Sequence, residues 1–326
     1  MISSPMGKPT IALCIPAFKA ENHLPRLLES ARQQDPPFDE IIVCVDASPD
    51  SSAEIARSFG ATVLVNQTNL GCSASKNKAL QAATADWIHF HDADDILLPG
   101  FTQEALSWGG QQSPPEVVIM GYDYVDFKTQ KYLASGLQSD EHLSSDPLGY
   151  AIRNKLPNCG LYQREKILSL GGFHVDPSIL YNEDVAFHIK LALAGCSFRA
   201  SARITSIIYR HGDSMSSGSA VKCELAHIEV MRRVAEETGG RFSKDIAARL
   251  WASATVLACH QIWSDVDNAL TLAKRLYPGV PLGQSKSFYF LCNMIGPSAA
   301  FRVREHAIRR FKPHLRASQT ASAFLS

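Results

Sequence analysis

The run His91-Asp92-Ala93-Asp94-Asp95 sets three carboxylates within four residues, directly after the apolar segment Trp87-Ile88-His89-Phe90. Ionised carboxylates this close repel one another and resist losing water, so the run needs compensating partners. A divalent cation carrying phosphates is one solution, because Mg²⁺ typically binds one or two carboxylates plus substrate phosphate. A solvated turn or a helix cap is the other, since Asp is favoured in both. Asp46 ends a second apolar run, Ile41 to Val45. Glu183-Asp184 follows Tyr181-Asn182, and Arg210-His211 follows a third apolar run. By themselves Glu183 and Asp184 read as first-turn acids at the positive end of a helix.

The elements that must position these groups alternate along the first hundred residues. Strands are predicted over Thr10–Ile15, Ile41–Val45, Thr62–Val65 and Trp87–Phe90. Helices are predicted from Asn22 to Gln34, from an Asp50 cap to Gly60, over Ser73–Ala83 and around Phe101–Trp108, with a further strand over Glu116–Met120. The first helix rests on Leu24, Leu27, Leu28 and Ala31, spaced for one helical face. Such alternation predicts an α/β fold with a mostly parallel sheet covered on both faces. Ligands bind such sheets beyond the carboxyl ends of the strands, where Asp46 and Asp92 to Asp95 both fall. After about residue 125 the alternation fades. Residues 127–148 read as a long polar loop, followed by a short helix stopped at Gly171-Gly172 and a helix over Glu183–Ala194. Short strands are predicted at Phe198–Ala200 and Ile204–Tyr209. Helices then run over Ala220–Glu237, Lys244–Ile262 and Val266–Tyr277. A hinge at Ser214–Gly218 divides an α/β domain, 1–216, from a helical extension, 217–326.

Composition narrows the function classes. The 32 basic residues balance the 32 acidic ones, which gives no field to attract nucleic acid. Eight cysteines, several in apolar runs such as Cys14 and Cys44, lack metal-type spacing and suit a reducing compartment. The longest apolar candidate, Ser287 to Phe301, is broken by Asn293, Gly296 and Pro297 and falls short of the roughly 20 residues of a spanning helix. The expectation is a cytoplasmic protein. The basic segment Phe301 to Lys312 has two readings: a helix lying on an anionic membrane surface, or one packed on the protein through Phe301, Ala307, Ile308 and Phe311.

Four segments, taken in order, resemble inverting glycosyltransferases of family 2, which have the GT-A fold. Ile11-Ala12-Leu13-Cys14-Ile15-Pro16-Ala17-Phe18-Lys19 is similar to the family's first strand and Pro-Ala-Tyr-Asn turn, with Phe18 and Lys19 for Tyr and Asn. Val45-Asp46-Ala47-Ser48-Pro49-Asp50 resembles Asp-Asp-Gly-Ser-x-Asp, with Val45 for the first Asp. Asn69-Leu70-Gly71, Ser73, Lys76 and Asn77 resemble Asn-x-Gly-x-Ser-x-Ala-Arg-Asn, and Asp92-Ala93-Asp94-Asp95 resembles the metal-binding Asp-x-Asp-Asp. Gly171-Gly172-Phe173 ahead of Glu183-Asp184 extends the likeness.

The resemblance implies a role for each residue. Asp46 would accept the N–H of a uracil-like base, in a pocket lined by the backbone of Pro16 and Ala17. Lys76 would neutralise phosphate or orient the nucleotide, unless it is a solvated helix lysine, and Asp92 would contact ribose. Asp94 would ligate Mg²⁺ or Mn²⁺, with His211 as a further ligand, while Asp95, Glu183 and Arg210 support the site, Arg210 beside phosphate. Asp184 would be the general base for the acceptor hydroxyl. Asn158 and Cys159 would line the acceptor side. Implied partners are a nucleotide-diphosphate sugar, a UDP-sugar foremost, and a saccharide or lipid-linked acceptor, in cell-surface polysaccharide synthesis. No Gln-x-x-Arg-Trp motif occurs, so transfer of a single sugar is expected rather than processive synthesis. Competing readings are a degenerate nucleotide-sugar-binding domain and a haloacid-dehalogenase-type phosphatase, which expects Thr or Val where this chain has Ile96.

Overall fold

A computed structural model describes residues 8–211, 219–279 and 285–317. Among these, nine strands form one sheet: β1 (Ile11–Ala17), β2 (Glu40–Val45), β3 (Thr62–Val65), β4 (Trp87–Phe90), β5 (Ile96–Leu97), β6 (Val117–Asp126), β7 (Tyr132–Gly136), β8 (Gly160–Gln163) and β9 (Phe198–Arg210). Their order is β3-β2-β1-β4-β8-β6-β9-β5, with β7 on β6. β1, β2, β3, β4, β6 and β9 run one way and β5, β7 and β8 run against them. The sheet is therefore mostly parallel, as the alternation predicts.

The central strand shows why. Ile11, Leu13, Ile15 and Ala17 pack with Leu24, Leu27, Leu28 and Ala31 of the helix Leu24–Arg32. Ala12 and Cys14 point to the other face, where the helix Cys72–Ala82 lies against β1. Burying each Leu or Ile contributes roughly 1.5–3 kcal/mol, so a strand apolar on both faces is drawn between two helical layers. None of the eight cysteines forms a disulfide, and burial pushes the Cys14 thiol upward, away from reactivity.

Two expectations are corrected. Residues 127–148 hold the strand β7, hairpinned to β6, and a helix over Asp140–Ser145. Their polar residues are spent on local bonds: the Ser139 hydroxyl accepts the His142 N–H, and Asp140 takes a forked pair from Arg199 at 2.8 and 2.6 Å. Phe198–Ala200 and Ile204–Tyr209 are one strand, β9, because it follows β6 in parallel past two register shifts to Asp126↔Arg210.

The chain divides into two compact units. The first comprises residues up to 151, 156–175 and 186–211; the second takes 152–155 and 176–185 together with the helical remainder. The expected hinge at 214–218 lies outside the described residues. In the second unit the helices Ala220–Glu237, Ser243–Cys259 and Trp263–Leu276 bury Met231, Ile246, Leu250, Trp251 and Val266. One buried acid there, Glu224, accepts from Lys155 at 2.7 Å and Ser253 at 2.6 Å.

In the first unit, Gly171 and Gly172 both adopt positive φ, 76° and 63°. The Asn77 side chain then closes on the backbone of Phe173, accepting its N–H at 2.8 Å and donating to its carbonyl at 2.9 Å. A Cβ on Gly172 would stand 2.2 Å from Asn77 Oδ1, whereas one on Gly171 would meet only Lys190 Nζ, at 3.9 Å. Gly171→Ala should therefore cost only the left-handed penalty of about 1–2 kcal/mol. Gly172→Ala should cost clearly more, because the Asn77 clasp must also move. Urea denaturation of the two variants checks this, and equal losses would contradict the clasp.

Candidate active site at the strand ends

The six parallel strands end on one side, at Ala17, Val45, Val65, Phe90, Asp126 and Arg210. Strand order turns back between β1 and β4, and ligands in open sheets bind at such a switch point. Pro16, Ala17, Asp46, Lys76, Asp92, Asp94, Asp95, Arg210 and His211 all belong to this first unit. Glu183 and Asp184 belong to the second.

Each acid of the motif goes to a different partner. Asp92 lies 3.2 Å from Lys76 Nζ, and Lys76 is buried, with its ammonium 5.3 Å over the Phe173 ring. The reading of Lys76 as a solvated helix lysine is thereby excluded. Asp95 is buried and accepts the Tyr209 N–H at 2.7 Å. Burial and the neighbouring Asp94 and Asp92 push its carboxyl well above the usual range, against the pull of the Tyr209 bond and Arg210. Asp94 Oδ2 lies 2.8 Å from His211 Nε2. Burial works to raise the Asp94 carboxyl, but the bond to His211 and the nearby imidazoles of His211 and His23 outweigh it and hold it below its usual value.

Asp94 and His211 are separated by 117 residues. What joins them is the short strand β5, which pairs Ile96 with Ile207. An aromatic stack then sets the imidazole: His211 lies on His23 at 5.2 Å, and both rings meet Phe127. Arg26 stacks on Phe127 and Tyr209 and donates to the Asp94 carbonyl at 3.2 Å. Sequence reasoning missed His23 and Arg26. Their only sequence signal is polar residues at the mouth of an otherwise core-facing helix. Among the described residues no three His, Cys, Asp or Glu side chains converge on a metal position. Asp94 and His211 nevertheless fit a hard divalent cation as a two-donor set, with phosphate oxygens and water completing the shell.

Several expected roles change. Asp46 is buried: its Oδ1 accepts Asn66 Nδ2 at 2.7 Å and the Leu70 N–H at 2.8 Å, and its Oδ2 accepts the Gly71 N–H at 2.7 Å. It positions the turn before the helix Cys72–Ala82 and is not an exposed acceptor awaiting a base. Ala17 is buried and its carbonyl accepts the Asp46 N–H, while Phe18 next to it is 47% exposed. Arg210 stacks on Tyr124 at 4.0 Å. Asn158 and Cys159 are buried, so they do not line an acceptor surface.

Behind the acids, His89 Nδ1 donates to the Gly160 carbonyl at 2.8 Å, and His89 Nε2 lies 2.9 Å from His91 Nδ1. Burial, with each residue's neighbours, pushes their pKa values down to about 3 and about 4. Both rings are neutral near neutral pH, so His91 Nδ1 must be the donor to His89 Nε2. In the second unit, Tyr181 holds φ 76°, a strained value for a non-glycine residue, just before the helix Glu183–Leu193. Asn182 follows it, accepting from His227 Nδ1 at 2.9 Å and donating to the Cys223 carbonyl at 3.3 Å. That buried Asn182–His227 pair, also missed in the sequence, holds the turn that presents Glu183 and Asp184.

The turns after β1 and β2 are stapled together. Ser48 Oγ accepts the Lys19 N–H at 2.7 Å, and Asp50 accepts from Ser48, Ser52 and the Glu21 N–H. The helix Ser52–Ser58 is entered at Ser51, so Asp50, the expected cap, lies one residue before the cap and accepts the Ser52 N–H from there. Lys19 and Ala47 hold φ 51° and 53°, where the family motifs carry Asn and Gly, residues that accept left-handed backbone readily. Burial would raise the Asp50 carboxyl, but its bonds from Ser48, Ser52 and Glu21 bring it down to about 2. A depressed carboxyl stabilises the fold fully above its ordinary value of 3.8, and that contribution is lost as pH falls toward about 2. Asp50→Asn should therefore lower the melting temperature near neutral pH, with the gap to the native chain narrowing below pH ~4. A gap independent of pH would mean the staple does not need the charge.

Comparison with known proteins agrees with this architecture. Residues 12–168, from β1 into the helix Arg164–Ser169, match the sequence profile described as Glycosyl transferase family 2. The amylovoran biosynthesis glycosyltransferase AmsE of Erwinia amylovora is 27% identical over 194 residues, 54% of this chain and 66% of AmsE. The chain covers between 35% and 66% of the length of five such curated relatives. Among solved structures, residues 1–349 of S. aureus TarS in complex with UDP-GlcNAc superpose with a TM-score of 0.69 at 16% identity, covering 92% of each chain. The mannosyltransferase PcManGT from Pyrobaculum calidifontis, in complex with GDP-Man and Mn²⁺, gives a TM-score of 0.60 at 15% identity, over 97% of this chain and 85% of that one. These likenesses carry the GT-A fold, and across the strands and turns at the switch point residues 12–168 are similar to glycosyl transferase family 2.

Proposed function

We propose that this chain is an inverting, metal-dependent glycosyltransferase. It moves one sugar from a nucleotide-diphosphate sugar, a UDP-sugar foremost, to a saccharide or lipid-linked acceptor in cell-surface polysaccharide synthesis. The observation that carries the reading is the Asp94–His211 pair beside the Lys76–Asp92 ion pair, at the switch point of a parallel sheet. The names of AmsE, TarS and PcManGT support the donor class, the metal and the pathway by analogy.

In this reading the exposed Phe18 ring at the end of β1 offers a flat apolar face to the base. The turn held by Asp46 places backbone at the nucleotide. Lys76 is fixed by Asp92 and by the Phe173 ring, so its positive charge is in place before the donor arrives and needs no reorganisation during reaction. When bound at Asp94 and His211, Mg²⁺ or Mn²⁺ supplies Lewis-acid neutralisation of the leaving diphosphate. Asp184 takes the proton of the acceptor hydroxyl as its oxygen bonds to the anomeric carbon. The bond from that carbon to the diphosphate oxygen breaks on the opposite side, so configuration inverts and a nucleoside diphosphate leaves.

A panel of nucleotide sugars against the purified chain, read by saturation-transfer NMR with Mn²⁺ or a chelator, tests the donor class. Binding of a UDP-sugar that the chelator weakens is expected. Metal-independent hydrolysis of simple phosphoesters, or no binding of any nucleotide sugar, would overturn the reading. Asp184→Asn should lower kcat by about 10²–10⁴-fold and leave donor affinity nearly unchanged. Asp94→Asn should instead abolish the response of donor binding to Mn²⁺. If Asp184→Asn weakens donor binding as much as turnover, Asp184 is not the base.

A further inference from the structure

The helix Lys286–Ile295, in the second unit, reads Lys-Ser-Phe-Tyr-Phe-Leu-Cys-Asn-Met-Ile and is apolar on two opposite sides. Phe288 and Cys292, one turn apart, are buried, and Phe288 meets the buried Phe301 edge-on at 5.2 Å. The other side carries Tyr289, Phe290 and Met294, the last two 64% and 66% exposed, with Ile295 at its end. The helix Pro297–Phe311 begins directly after Gly296 and adds exposed Val303 and Phe311. Of fourteen exposed large apolar side chains among the described residues, seven fall between Tyr289 and Leu315. Single exposed apolar residues need no explanation, but a cluster of this kind marks an interaction surface.

Charge identifies the occupant. Residues 285–317 hold seven basic side chains, Lys286, Arg302, Arg304, Arg309, Arg310, Lys312 and Arg316, against one acid, Glu305, a net +6 in a chain whose total is zero. Glu305 is buried and paired with Arg316, so the acid does not screen the outer face. Arg302 is offset by Asp267 and Arg304 stacks on Phe288 and Phe301, but the remaining cations would still set a positive face against a positive face in a second copy of the chain. An aromatic and methionine-bearing face flanked by cations matches helices that lie in the head-group layer of anionic membranes. Ten residues are too few to span a bilayer, and among the described residues no helix is long and apolar enough to do so.

We propose that these two consecutive helices dock the protein on an anionic phospholipid surface, with Phe290 and Met294 entering between head groups while Arg310 and Lys312 pair with them. This extends the expected membrane segment, Phe301 to Lys312, to the preceding helix, while Phe301 itself packs inward and Phe311 does not. It does not depend on the sugar or the chemistry of transfer.

The test is co-sedimentation of the full chain with vesicles of phosphatidylcholine alone or mixed with phosphatidylglycerol. Binding to the mixed vesicles only, weakened by added salt, is expected. Phe290→Asp with Met294→Asp should reduce it at least about tenfold. Arg310→Ser with Lys312→Ser should reduce it by roughly tenfold or more. Melting temperature and nucleotide-sugar affinity should stay at native values in both double variants, which separates this proposal from the catalytic one. Absence of binding to phosphatidylglycerol vesicles, or unchanged binding by the Phe290→Asp/Met294→Asp variant, would overturn it. So would a dimer seen by light scattering that the same variant dissolves, since the face would then seat a second copy.

Discussion

Three carboxylates in four residues raise a problem of mutual repulsion that the surrounding structure must solve, and it does so by dispersal. Asp92 pairs with a buried lysine and Asp94 with an imidazole, while Asp95, whose carboxyl burial and its two neighbours push upward toward the uncharged form, accepts a backbone N–H of β9. Each solution recruits a different part of the first unit: the helix Cys72–Ala82, the residue after β9, and β9 itself. Because Asp94 and Asp95 both reach the end of β9, the acidic segment ties β4 to a strand more than a hundred residues away. The carboxylates that would oppose folding in isolation thereby become cross-links at the strand ends.

The turns beside these strand ends obey a related rule. Asp46 uses its carboxylate on the turn at Leu70 and Gly71, and Asp50 uses its own on the turns after β1 and β2. Charge-assisted bonds to backbone N–H groups are among the stronger hydrogen bonds available. They hold Lys19 and Ala47 in left-handed backbone that these residue types resist. Strain of that kind persists where the surroundings over-determine a conformation, commonly beside a functional site. Tyr181, ahead of Glu183 and Asp184, repeats the pattern with a buried Asn182–His227 bond as its support.

Much of this was legible in the residue order. Strands β1 to β4 and the helices between them announce themselves through apolar runs and helical spacing, because both faces of β1, β2 and β4 are largely buried, although the outer strand β3 is partly exposed. The turn at Gly171-Gly172 was visible for the same kind of reason, since glycine marks left-handed backbone. The segment 127–148 was not legible. Its strand and helix are stabilised by polar partners distant in sequence, such as Arg199 for Asp140, and polar composition alone reads as loop. His23, Arg26, Asn182 and His227 were missed because one-dimensional spacing does not reveal which polar side chains will be sealed together.

By itself the sequence determined the layered α/β plan, the strand ends where chemistry is possible, and the acidic run that anchors it. Local periodicity and backbone preference act over a few residues, and those features need no more. Tertiary structure alone decided how the acids divide their partners. It turned Asp46 inward to the Leu70–Gly71 turn, stacked Arg210 on Tyr124, and set the direct 2.8 Å contact of His211 with Asp94, two residues the family resemblance had only assigned to one metal site. A carboxylate's role depends on which donors reach it first, and those donors arrive through pairings such as Ile96↔Ile207 that link distant segments.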